Sequence, residues 1–273
     1  MRNIYNYTEL RRRYSFCLFL GVILFVFGCG EQKAQQDNIQ QSGISSSEAN
    51  ELAESEPIAD WKFLFDGKTT AGWRGINQEN FPSEGWKIEK GMLWSNSTDG
   101  KESGNGGDII TIEQFDDFVL DWEWKMITRG GNSGVKYFVK EGLSDNEKYG
   151  VGLEYQILDD ENHPWMLEGK MQPNDYYTLA SLYEIYPAKN KSPEPLGEWN
   201  HSRIVVKGNK VEHWLNNRIV VQYERGNEDF RKRVAESKFS KFKNFGEAEQ
   251  GHILLQDHGG KVAFRNIKIK EFE

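Results

Sequence analysis

The chain has 273 residues, 28% of them charged, and a net charge of −8. Residues 1–28 carry four arginines against Glu9, a net +3, so the remainder stands at −11. An acidic chain with no basic patch is not built to bind nucleic acid, where phosphate neutralisation supplies most of the affinity.

In chain order, the first element is a leader. Arg11-Arg12-Arg13 precede an apolar run from Tyr14 to Gly28, and Cys29 follows. The run is shorter than the roughly 20 residues of an untilted membrane span. A basic head, a short apolar core and a small residue before Cys fit an export signal. Residues 1–28 are therefore expected to be a lipoprotein signal peptide, with Cys29 the lipidation site. The lipid would be the membrane attachment, and the location the bacterial cell envelope, at the outer membrane on its periplasmic or surface side. Cys17 lies in the leader, so the mature chain has no thiol besides Cys29 and must stand on its core without disulfides. Residues 29–57 are polar and aperiodic, and read as a flexible tether.

Residues 58–273 read as one domain. In Phe118–Met126, Phe118, Leu120, Trp122, Trp124 and Met126 alternate with polar or smaller residues, a period of two with one buried face. Further strands are expected at Trp86–Glu89, Met92–Ser95, Asp108–Ile112, Val135–Val139, Leu153–Leu158, Ser181–Tyr186, Ser202–Lys207, Val211–Leu215, Ile219–Tyr223, His252–Gln256 and Val262–Ile269. Asp66-Gly67, Lys90-Gly91, Gly130-Gly131-Asn132 and Asn216-Asn217 are turn signals between them. Asn227–Phe239 reads as a short surface helix. Many short strands with glycine turns predict an all-β jelly-roll sandwich. Thirteen per cent aromatic residues suit both a β-rich core and platforms for sugar rings.

Three segments could carry chemistry. In Leu153–Asp159, Glu154 and Gln156 share one face of a strand, opposite the core residues Leu153 and Ile157. Asp159 joins their face only if the strand bulges or ends near Leu158. The spacing Glu-x-Gln-x-x-Asp resembles the acid motif of sandwich glycosidases, with two acids replaced. In Arg129–Lys136, three glycines allow close backbone approach to a ligand, Arg129 and Asn132 could bond a sugar, and Lys136 shares the pleat opposite Val135; the same segment also reads as a tight hairpin. In Gly251–Gly260, Gln256 and His258 share a face, and His258 at a strand end suits acid–base work near neutral pH. His163, His201 and His213 lack metal-ligand spacing. No cofactor is indicated, and a divalent cation on carboxylates such as Asp159 and Asp160 stays open. A nucleophile elbow is absent, and Gly104-Asn105-Gly106-Gly107 precedes a strand instead of joining strand to helix, unlike a dinucleotide loop.

Together with Phe63–Lys68, Gly72-Trp73, Leu182–Ala188, Gly197–Asn200 and His213–Asn216, these segments run in one order along nearly the whole of residues 58–273. In that order they resemble the 3-keto-disaccharide hydrolase domain family. The resemblance implies a concanavalin A-like jelly roll with a sugar-binding face. It also implies action on 3-keto-glycosides made by a partner sugar oxidoreductase. A C3 ketone acidifies the C2 hydrogen, so such an enzyme needs a base, a group at the enolate oxygen and an acid at the leaving oxygen. His258 or Glu154 is the expected base. Arg129 or Lys136 would face the enolate, and Asp159 or Glu184 would be the acid or a metal ligand. Substrate contacts are expected from Arg129, Asn132, Lys136, Gln156, Tyr183, Glu184 and Gln256. A non-catalytic sugar-binding lipoprotein and an envelope docking domain are the competing readings.

Overall fold

The computed structural model describes residues 61–96 and 106–272. The leader, Cys29, the tether and Gly104-Asn105 lie outside the described residues.

Two antiparallel sheets pack face to face. Thirteen strands are present among the described residues: β1 Lys62–Phe63, β2 Trp73–Gly75, β3 Trp86–Glu89, β4 Met92–Ser95, β5 Ile109–Thr111, β6 Phe118–Met126, β7 Asn132–Lys140, β8 Val151–Leu158, β9 Asn200–Lys207, β10 Lys210–Leu215, β11 Arg218–Glu224, β12 His252–Leu255 and β13 Val262–Glu271. One sheet runs β11-β10-β9-β6-β13-β4-β3, with β1 added on β13, and the other runs β2-β5-β12-β7-β8. This is the jelly-roll sandwich that the alternation predicted. Among the described residues the α-helices are α1 Pro164–Leu167 and α2 Glu228–Glu236. The Asn227 side chain caps α2 by accepting from the Phe230 N–H at 2.7 Å. Asn216 and Asn217 both take positive φ, as a two-residue hairpin turn requires, and join β10 to β11.

The core lies between the sheets. Trp122 of the larger sheet meets Tyr155 of the smaller edge-to-face, with centroids 5.1 Å apart. Buried hydroxyls in this layer are paired across it: Tyr155 bonds Ser202 at 2.9 Å, and Tyr137 bonds His213 Nε2 at 2.8 Å. His213 Nδ1 lies 2.9 Å from the Ala180 carbonyl, so it carries the proton and Nε2 accepts from Tyr137. Burial pushes the His213 pKa down to about 4, so the ring is neutral. A bulge at Phe138, with φ of 52°, turns both Tyr137 and Phe138 inward.

Two expectations are corrected. Ser181–Tyr186 is not a strand. Ala180 and Glu184 each have φ of 62°, and the chain turns there with only isolated bridges, Tyr155 to Leu182 and Leu182 to Tyr186. Gly130-Gly131 is not a hairpin turn either, because β6 and β7 belong to different sheets and the turn carries the chain between them.

Candidate active site

The outer face of the five-stranded sheet carries the polar residues. Pleat places Val135 and Tyr137 of β7 in the core, and Gly134 and Lys136 on the opposite face. On β8 the same alternation turns Leu153, Tyr155 and Ile157 inward and Glu154 and Gln156 outward. Register then lines up two rows: Leu254, Lys136 and Glu154 face one another across β12, β7 and β8, and Gly134 pairs with Gln156 in the next row. An exposed acidic strand does not describe this face: Lys136 is 1% exposed, Glu154 4% and Gln156 2%.

Burial of these charges is compensated locally. Lys136 Nζ lies 3.7 Å from Asp108 Oδ2 and 3.8 Å from Glu154 Oε2, and donates to the Gly150 carbonyl at 3.0 Å. The ammonium also sits over the Tyr149 ring, 3.8 Å from its centroid. Asp108 is held in turn by the Gly150 and Asp257 N–H groups, each at 3.0 Å. Gly150 can approach because it has no side chain: a Cβ there would stand 2.2 Å from Leu254 Cδ1. Gly134 has the matching role beside the acid. A Cβ there would meet Glu154 Oε1 at 2.9 Å and Gln256 Oε1 at 3.3 Å, so both side chains converge over this glycine.

Gln156 completes the cluster. In one orientation its amide makes a single long contact to the Tyr177 carbonyl at 3.3 Å while its oxygen faces other acceptors. Turned over, its nitrogen donates to Ser133 O at 2.9 Å and to Asn132 Oδ1 and Glu154 Oε1 at 3.2 Å. Three acceptors around one amide fix the second orientation. Tyr183 borders the same acid. Burial and the nearby Glu154 carboxylate push its phenol pKa up, so it stays a hydrogen-bond donor.

The remaining expected residues fall into separate places. His258 is half-buried next to β12, near enough to His163 for its charge to act on that ring. No spacing motif marks His163. Gly130 packs against the Asn162 carbonyl and the His163 backbone. Burial pushes the His163 pKa down. Strand β8 ends at Leu158, so Asp159 lies beyond it, and its carboxylate accepts from the Gly130 N–H and the Asn162 amide, each at 2.8 Å. That carboxylate ties two loops together. Glu184 accepts from the Lys238 N–H at 3.0 Å. Arg129 is exposed and makes no side-chain hydrogen bond among the described residues. Asp160 pairs with Lys191, and no group of three His, Cys, Asp or Glu residues converges on one point among the described residues.

Residues 60–270 match the 3-keto-alpha-glucoside-1,2-lyase-like domain. The chain belongs to this family. The 3-keto-alpha-glucoside-1,2-lyase-like domain thus takes in all but two of the described residues. A curated relative, a 3-keto-disaccharide hydrolase of Bacteroides thetaiotaomicron, is 35% identical over 93% of this chain and 96% of its own length. Two crystal structures of candidate glycosyl hydrolases from Parabacteroides distasonis are similar in fold. One is 34% identical with a TM-score of 0.68, covering 79% of this chain and 95% of that one. The other is 28% identical with a TM-score of 0.58, covering 78% and 99%. Membership makes the chain an enzyme of the glycoside-hydrolase kind with a carbohydrate substrate.

Proposed function

We propose that this enzyme cleaves 3-keto-glycosides by elimination and hydration, with Glu154 as the base. The observation that carries the reading is the carboxylate of Glu154, set over Gly134 between a buried ammonium and the amides of Gln156 and Gln256. A single buried base with hydrogen-bond donors around it suits proton abstraction next to a ketone. It does not suit the paired opposed carboxylates of direct glycoside hydrolysis.

Glu154 takes the C2 proton, and the electron pair forms an enolate with the C3 carbonyl. Tyr183, which borders the base, and Lys136, its paired cation, are assigned to the developing enolate charge. Collapse of the enolate expels the C1 oxygen, which takes a proton from His258. Water then adds across the new C1–C2 double bond, hydroxyl to C1 and hydrogen to C2, and the net change is hydrolysis. Asp159 and Glu184 are committed to loop contacts and take no part.

The ketone must come from an oxidoreductase acting first on the ordinary glycoside. Lipidation of Cys29 would place both steps in the envelope. Cys29→Ser is expected to abolish labelling by radioactive palmitate, and retained labelling would remove the anchor.

The test is turnover of methyl 3-keto-glucoside by wild type, Glu154→Gln and His258→Asn. Each variant is expected to lose about 10²- to 10⁴-fold, the usual worth of one acid or base. A fluoride leaving group, which needs no proton, should rescue His258→Asn and not Glu154→Gln. Wild-type rates in both variants would sink the assignment.

A further inference from the structure

A line of aromatic rings leads outward from Tyr183, beside the proposed base, and the rings beyond Tyr183 have no part in the proposed chemistry. Tyr183, beside Glu154, packs on Tyr177 with centroids 5.5 Å apart. Tyr177 meets Trp165 edge-on at 5.8 Å and 85°, and touches Tyr176 at 4.7 Å. Trp165 then meets His163 at 5.7 Å and 86°. The outer end of this line is open: Trp165 is 45% exposed and Tyr176 41%.

The exposure is not a by-product of core packing. Helix α1 is a single turn with no buried residue, so Trp165 adds little to the fold. Its backbone is nevertheless pinned. The Trp165 N–H donates to His163 Nδ1 at 3.3 Å, and the Trp165 carbonyl accepts from the N–H groups of Lys170 at 2.8 Å and Met171 at 3.0 Å. Met171 is buried and anchors that turn to the body of the domain. A large ring on a pinned backbone, with nearly half its surface in solvent, is placed for a ligand.

Resting on the 3-keto-glycoside reading, we infer that Trp165 and Tyr176 form the subsite for the leaving group. They select aglycones that are themselves six-membered rings. Two ring steps separate them from Tyr183, which suits the unit attached to the sugar whose C2 proton Glu154 takes. The shared ligand chemistry is an apolar ring face with polar edges, supplied either by a second pyranose or by an aryl group. The rings of Trp165 and Tyr176 would take the face, and the edges would stay in water.

The test compares Trp165→Ala, Trp165→Phe and wild type on three 3-keto-glucosides, carrying methyl, phenyl and glucosyl aglycones. Melting temperatures close to wild type are expected, because α1 is exposed. For Trp165→Ala, kcat/KM should fall about tenfold on one or both ring aglycones, the worth of one good aromatic contact, and stay within about twofold on methyl. Trp165→Phe should recover part of the loss. The larger deficit identifies sugar or aryl as the preferred ring. An equal loss on all three substrates, or no loss on any, overturns the inference. Wild type that turns over none of the three refutes the 3-keto-glycoside reading instead. The subsite is then decided by calorimetric binding of phenyl and methyl glucoside to wild type and Trp165→Ala, where an equal affinity for the phenyl compound overturns it.

Discussion

Replacing Lys136 with methionine tests the charge cluster that positions the proposed base. The substitution keeps length and apolar bulk while removing the ammonium between Asp108 and Glu154, at 3.7 and 3.8 Å. At an effective dielectric of about 20, one such pair is worth about 4 kcal/mol. Desolvation of the lysine offsets part of this. Removing one member of a buried ion pair costs about 3–5 kcal/mol, because the partner charge stays behind. For a domain of this size each kcal/mol moves the melting temperature by about 2–4 °C, so a fall of roughly 6–20 °C is expected. Calorimetry at pH 7 reads it. Wild type buries one cation with two carboxylates, and Lys136→Met leaves two like charges together. The double variant with Glu154→Gln removes one of them and should melt above Lys136→Met, with a coupling of about 0.5–3 kcal/mol. A single variant that melts within about 2 °C of wild type, or a double variant no more stable than the single, would refute the electrostatic account of this face.

Gly134→Ala should separate position from presence. The backbone there takes no left-handed φ, so alanine is tolerated, but its Cβ would press on Glu154 Oε1 and Cγ at 2.9 and 3.1 Å. Displacement of the carboxylate by a fraction of an ångström to 1 Å should lower kcat by up to about 10²-fold, with the melting temperature little changed; unchanged kcat on methyl 3-keto-glucoside would count against Glu154 as base. His213 sets an acid limit on stability. Its pKa is about 4 in the fold against 6.5 in the unfolded chain, so the unfolded chain binds more protons between these values. The stabilisation is complete above pH 6.5 and is lost as pH falls toward 4, by about 3 kcal/mol. His213→Gln, though less stable at pH 7, should show a flatter decline over that window in denaturant titrations. An unchanged slope would show that the buried imidazole is not what titrates.

The alternation of Phe118–Met126 and of Leu153–Leu158 is a local property, and it specified both the strands and their inward faces. The two errors in the fold have one origin. Residues 181–186 have strand-like side chains, yet Ala180 and Glu184 adopt positive φ because long-range partners hold the turn, among them His213 on the Ala180 carbonyl. Which strands share a sheet is likewise set by pairing over long sequence distances. Hence Gly130-Gly131 looks like a hairpin turn although it passes between sheets.

The site was legible to the depth of one strand. Pleat was enough to put Glu154 and Gln156 together and Lys136 on the matching face of a neighbour. What covers that face was not legible, because Asp108, Tyr149 and Gly150 reach it from other segments, and only their arrival turns an exposed acid into a buried ion pair. The same limit explains Asp159. Its spacing from Glu154 suggested a second acid, but the residue that decides its role is Gly130, 29 positions away, whose N–H it accepts. Its carboxylate is held instead by a backbone N–H and an asparagine amide, between two loops. The proposed mechanism accordingly takes the acid at the leaving oxygen from outside the strand motif. We assign that acid to His258, which stands close enough to His163 for its charge to act on that ring.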